Sequence, residues 1–267
     1  PKFRGINMMN SIITREMREA IGVESEPNTF KIHTKDIIRF ADSIGDGNPI
    51  FNDEYKPDGT QRGNFIAPPT FLRSCSPGAP MLRPDFPFSA SMDGGSDWEY
   101  FEPVRPGDTV TVTSKFIDCE EKQGRLGAML IALRELKYVN QFGSLIALER
   151  NTVIMYNPPG NPNHSSRVWA IHDEDQALYT NQQQQIYYED VEQGMKLPTL
   201  KKIPTTRQLV KYAAASIEYP EVHYDLRQAK SAGLPDVLVQ GSLKHAFLGQ
   251  LITGWMGEGG ILKKLNV

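Results

Sequence analysis

The stretch Ala215-Ser216-Ile217-Glu218-Tyr219-Pro220-Glu221-Val222-His223-Tyr224-Asp225, followed by Leu238-Val239-Gln240-Gly241-Ser242-Leu243, organises the reading of this 267-residue chain. It places a carboxylate, an imidazole five residues on, and a glycine N–H at what reads as a helix start. Together these can move a proton and a water beside a polarised carbonyl.

Working outward, the same pattern occurs once more. An offset of 172 residues lays Thr34 to Phe71 over Thr206 to Leu243 without a gap. Ile37 and Ile38 meet Leu209 and Val210, Phe40 meets Tyr212, Ala41 meets Ala213, and Asp53 meets Asp225. The matches are of residue class at one constant offset, the mark of a duplication. The differences carry the chemistry. Asp46 lies over Glu218 and keeps a carboxylate, but Phe51 lies over His223 and Pro69 over Gly241. Phenylalanine transfers no proton, and proline has no N–H for an oxyanion. An active centre therefore belongs to the second copy.

Around the two copies, local pattern sets the elements. Ile6, Met9, Ile13, Met17 and Ile21 predict an amphipathic helix over residues 6 to 22. Thr29 to His33 reads as a short strand, with Thr34 as the cap of a helix whose apolar face is Ile37, Ile38, Ala41 and Ile44. Phe65 to Leu72 opens a helix-like segment, with proline fitted to its first turn. From Asp97 the texture turns to β: Trp98 to Phe101, Thr109 to Cys119, Met129 to Asn140 and Leu145 to Tyr156 are rich in Val, Ile, Thr and aromatics. They predict an antiparallel sheet long enough to curl around a buried helix. Asn157 to Asn163 and the glutamines 182 to 185 mark a linker. Thr205 and Gln208 have capping-box spacing before a face of Leu209, Tyr212, Ala213, Ser216 and Ile217. The expected domains are 1–157, without catalytic residues, a linker 158–185, and 186–267 with the catalytic motif.

Composition narrows the partners. Charge is nearly balanced, 29 basic against 32 acidic residues, and no basic track is interleaved with aromatics, so nucleic acid is not expected. Cys75 and Cys119 are the only cysteines, and with no CxxC spacing neither a disulfide framework nor a thiolate metal site is expected. No stretch reaches the ~18 apolar residues of a membrane span, and the first residues carry no signal-peptide pattern. A cytoplasmic protein is the expectation.

Phe40-Ala41-Asp42-Ser43-Ile44-Gly45-Asp46-Gly47-Asn48-Pro49-Ile50, Ala67-Pro68-Pro69-Thr70-Phe71 and Glu102-Pro103-Val104-Arg105-Pro106-Gly107-Asp108 resemble the N-terminal domain of double hot-dog MaoC-like dehydratases and (R)-specific enoyl-CoA hydratases. Val222-His223-Tyr224-Asp225, Gly233-Leu234-Pro235-Asp236 and Val239-Gln240-Gly241 are similar to their C-terminal catalytic domain. The resemblance implies an α+β double hot-dog, each half an antiparallel sheet wrapped around a central helix. It implies reversible hydration of a 2-enoyl thioester to an (R)-3-hydroxyacyl thioester. Glu218, His223 and Gly241 are then the catalytic residues, with Val239, Gln240 and Ser242 contacting substrate. The substrate is acyl-CoA or an acyl carrier protein thioester, with no metal and no cofactor, and the first half helps to house the acyl chain. Three features depart from the family pattern: Glu218 stands where Asp or Asn is usual, Gln240 where His is often found, and only 24 residues follow Leu243. The second half is therefore expected to be incomplete as it stands: either the natural chain continues beyond Val267 or another subunit completes the second sheet, and a homodimer or a heteromer with another hot-dog subunit is expected. The alternative to a hydro-lyase is a non-catalytic or half-site subunit that supplies acyl-CoA contacts to such a partner.

Overall fold

A computed structural model describes residues 11–52, 63–76, 88–125, 127–157, 186–257 and 259–267. The predicted linker 158–185 and Asp53 of the repeat lie outside them.

The strands are β1 (Asn28–Lys31), β2 (Ala90–Tyr100), β3 (Thr109–Gly124), β4 (Gly127–Val139), β5 (Leu145–Tyr156) and β6 (Lys264–Asn266). They form one sheet in the order β1-β3-β4-β5-β2-β6, with every adjacent pair antiparallel. The helices are α1 (Arg15–Ala20), α2 (Thr34–Ser43), α3 (Pro49–Asn52), α4 (Thr206–Ser216), α5 (Leu226–Ser231) and α6 (Gly241–Met256). Pro69–Ser74 and Glu221–His223 are 3-10 turns.

Alternation explains the sheet. In β3, Val110, Val112 and Ser114 point inward, while the intervening threonines are partly exposed. Opposite them, Trp98, Tyr138 and Tyr100 stack, with Trp98 5.4 Å from each of its neighbours. α6 is buried along most of its length, from Ser242, Leu243 and His245 to Gln250 and Thr253, because apolar or small residues occur on nearly every side. It packs against β2, with His245 stacked on Trp98 and Gly241 against Asp93. Gly249 lets it approach the turn at Thr70: a Cβ there would stand 2.8 Å from Thr70 Cγ2.

Five expectations shift. The first helix spans only Arg15–Ala20 within the described residues, because the Thr14 side chain caps it at Met17 N–H. His33, not Thr34, is the N-cap of α2, and it makes no side-chain capping bond. β2 starts at Ala90, well before Asp97; Gly94 and Gly95 mask its pattern, and its register shifts between Asp93 and Ser96. Ile217 leaves the apolar face of α4, being about half exposed in a left-handed conformation. The capping box at Thr205 holds as far as its hydroxyl accepting the Gln208 N–H, but the Gln208 side chain donates instead to Ser43 O.

The duplication is visible in backbone hydrogen bonds. Asp46 N–H donates to Ala41 O at 2.9 Å, and Glu218 N–H to Ala213 O at 3.1 Å. Phe51 donates to Asn48 and His223 to Pro220; Ile66 donates to Ile50 and Leu238 to Val222. Each pair keeps the same offset. The residue before the carboxylate is left-handed in both copies, Gly45 with φ 64° and Ile217 with φ 58°.

Candidate active site

The carboxylate is placed by the end of α4. Ile217 turns left-handed, and the turn brings Glu218 back over the helix it has just left. β-branched residues rarely adopt this conformation, so the turn stores strain beside a candidate catalytic group. Ser242, in the first turn of α6, donates its hydroxyl to Glu218 Oε2. The other oxygen, Oε1, faces His223 Nε2 at 4.0 Å.

The imidazole is placed by the short turn Glu221–His223. His223 Nδ1 lies 2.7 Å from Leu238 O, a carbonyl that can only accept, so Nδ1 carries the proton. Nε2 is then the lone pair directed toward Glu218. A separation of 4.0 Å is too long for a direct hydrogen bond. It is close to the span of two groups each ~2.8 Å from one shared water. His223 is buried and Glu218 about one-third exposed, so the gap opens on one side.

Gly241 is the first residue of α6. Gln240 is the N-cap residue but makes no side-chain capping bond, so the orphan N–H groups of the first turn and the positive end of the helix dipole face the same region. Of the predicted substrate contacts, Ser242 reaches the dyad through Glu218. Gln240 is fully buried and donates from Nε2 to Leu209 O at 3.0 Å, and Val239 packs partly buried against the core.

The first copy holds the corresponding groups in structural bonds. Asp46 Oδ1 accepts from Asn48 N–H, and Asn48 Oδ1 from Ile50 N–H. Burial lifts the Asp46 carboxyl to about 6, and burial likewise lowers the Lys202 ammonium to about 8, against the attraction of Asp46. Lys202, Gln208 and Gln250 donate to the carbonyls of Ile44, Ser43 and Gly45. Second-half side chains therefore cap the end of α2.

A buried polar cluster that sequence patterning does not reveal adjoins the start of α6. Arg73 Nη2 is 3.0 Å from Glu149 Oε1, 2.5 Å from Ser96 Oγ and 3.6 Å from Asp93 Oδ2. Glu149 also accepts from Tyr138, and burial pushes its carboxyl up while Arg73 opposes the shift. Asp93 accepts from Asn151. His245, stacked on Trp98 at 5.9 Å, has neither ring nitrogen paired, and burial lowers it to about 4.

A cavity of about 210 Å³ lies elsewhere, at the other end of α6, lined in part by Phe51, Pro69, Leu72, Thr253 and Met256. Phe51 and Pro69 are the counterparts of His223 and Gly241, so the degenerate copy lines this space together with the C-terminal end of α6. Eleven to fourteen helical residues put it ~17–21 Å from Ser242 along α6. Among the described residues, no cluster of three His, Cys, Asp or Glu could hold a metal, and no helix is long and apolar enough to cross a membrane.

Residues 19–149, just under half of the chain, match the family described as the FAS1-like dehydratase domain region. A UPF0336 protein of Parafrankia sp. is 28% identical over 123 residues, which are 44% of this chain and 79% of that protein. One from Streptomyces coelicolor is 34% identical over 92 residues, 32% of this chain and 60% of that protein. Among solved structures, one named MaoC-like dehydratase superposes with a TM-score of 0.73 at 17% identity, over 96% of this chain and 82% of its own. The peroxisomal multifunctional enzyme type 2 of Drosophila melanogaster gives 0.62 at 16%, over 92% of this chain and 40% of its own. A MaoC-like dehydratase of Phytophthora capsici gives 0.58 at 15%, over 88% and 76%.

Proposed function

From a chain that has the MaoC-like hot-dog fold, with a first half that matches the FAS1-like dehydratase region, we propose an acyl-thioester hydratase or dehydratase whose active centre is Glu218, His223 and Gly241. The observation that carries this reading is the 4.0 Å gap between His223 Nε2 and Glu218 Oε1, with each group fixed from behind by Leu238 O and by Ser242. One water fits between them. As it attacks C3 of the enoyl thioester, one of the two groups takes its proton and a proton is delivered to C2. Charge developing on the thioester oxygen is stabilised by the Gly241 N–H and the start of α6. The reverse sequence expels water from the 3-hydroxyacyl thioester. The degenerate first half contributes its apolar cavity to a long acyl chain, and acyl-CoA is the favoured carrier.

A second reading has its own support. Val210, Ile217, Leu248 and Ile261 are exposed apolar side chains of the second half, and β6, at the sheet edge, has only three residues. A half-site subunit would bury these against another hot-dog protein. Mixing the protein alone with crotonyl-CoA and following the enoyl-thioester absorbance tests both. Loss of the band with formation of the (R)-3-hydroxyacyl product supports the enzyme. Turnover only after co-expression with a hot-dog partner supports the half-site subunit.

A further inference from the structure

Tyr212 is fully buried on α4, and its hydroxyl makes no hydrogen bond of good geometry, although the Ser242 side chain lies near enough to interact with it. A phenolic O–H in that position normally finds an acceptor, because leaving it unpaired forfeits its hydration with nothing in return. Its polar neighbours are Ser242, Glu218 and Arg73. Arg73 can only donate. Ser242 spends its single proton on Glu218 and keeps its lone pairs free to accept. The counterpart of Tyr212 in the first copy is Phe40, whose ring lies 5.8 Å away. The copy that lost the imidazole and the glycine N–H therefore also lacks this hydroxyl.

We propose that Tyr212 is a positioning residue of the active centre, whose hydroxyl donates to Ser242 Oγ and through it holds Glu218 in the orientation that faces His223. The proposal rests on the hydratase reading for its kinetic effect, but not for the contact itself. In a chain of hydrogen bonds each donor polarises the next, so a Tyr212–Ser242–Glu218 relay fixes the carboxylate more firmly than Ser242 alone. Nearby, Gln240 is anchored to Leu209 O, one turn before Tyr212 on the same helix, so α4 orients both sides of the α6 start.

The test uses Tyr212→Phe, which installs the residue that the first copy already packs at this position. With enoyl-CoA substrate, kcat should fall about tenfold while KM stays within about twofold, as expected for loss of a hydrogen bond to a charged relay. The melting temperature should stay near wild type. In parallel, the ring 13C resonance of Tyr212, assigned by its absence in Tyr212→Phe, should move in both Ser242→Ala and Glu218→Gln. A Tyr212 signal unmoved in both variants overturns the relay, as does Tyr212→Phe that melts lower with kcat and KM intact. If wild-type protein hydrates no enoyl thioester, the hydratase reading fails, and the resonance shifts still decide whether Tyr212 is coupled to Glu218.

Discussion

Asp93, in the bulged strand β2 of the first half, lies against Gly241 at the start of α6. A Cβ on Gly241 would meet Asp93 Cβ at 3.0 Å and Oδ2 at 3.2 Å. The glycine therefore serves close approach as well as its N–H. The two roles separate by mutation. Gly241→Ala keeps the N–H and forces β2 to give by a few tenths of an ångström, costing about 1 kcal/mol in stability. Gly241→Pro removes the N–H, which a helix tolerates at its first position. Its kcat should fall a further ~100-fold below that of Gly241→Ala, the usual effect of losing an oxyanion donor. Equal kcat in the two variants would assign Gly241 to packing alone.

Ile217 holds a left-handed backbone that Gly45 holds in the first copy. A β-branched residue there costs roughly 1–2 kcal/mol, while its exposed side chain contributes little burial in return. Ile217→Gly is expected to stabilise the protein by up to about 1 kcal/mol, once the extra freedom of glycine in the unfolded chain is set against the relief of strain. Urea unfolding measures it. A loss of more than ~1 kcal/mol would show that the turn is unstrained.

Two buried groups give pH dependences of opposite sign in one window. Asp46, raised to about 6, favours the folded state below its unfolded value near 3.8, and this contribution is lost as pH rises through about 6. His245, lowered to about 4, gives stability present above its unfolded value near 6.5, which is lost as pH falls through about 4. Between pH 6.5 and 4 the two offset one another. Relative to wild type, Asp46→Asn should make stability fall more steeply on acidification, because only the histidine effect remains. His245→Phe should make it fall less steeply. Chemical denaturation at pH 4.5 and 6.5 reads both differences, and parallel profiles for all three proteins would contradict the assignment.

Much of this was legible in the chain because it depends on local order. The constant offset between Thr34–Phe71 and Thr206–Leu243 reappears as matched backbone hydrogen bonds, since a turn is set by residues close in sequence. The long strands after Thr109 followed from β-branched runs and their turns. The start of β2 was hidden because Gly94-Gly95 and polar residues obscure the alternation at its bulge. Arg73, Asp93 and Glu149 carry no local signal at all: they meet only because the sheet and the 3-10 turn pack, and buried ion pairs between distant segments leave no spacing to read. Tyr212 stood in the repeat alignment opposite Phe40, but one added hydroxyl on an apolar face reads as core until its oxygen is located beside Ser242.

In the proposed reaction His223 and Glu218 share the water that adds to an enoyl thioester. Its most direct test is the initial rate of crotonyl-CoA hydration by wild type and by His223→Ala, read as loss of enoyl-thioester absorbance at matched protein concentration. Wild type should turn over and the variant should lose at least ~1,000-fold, since removal of the paired acid–base group also unmakes the water site. Near wild-type turnover by His223→Ala would contradict it.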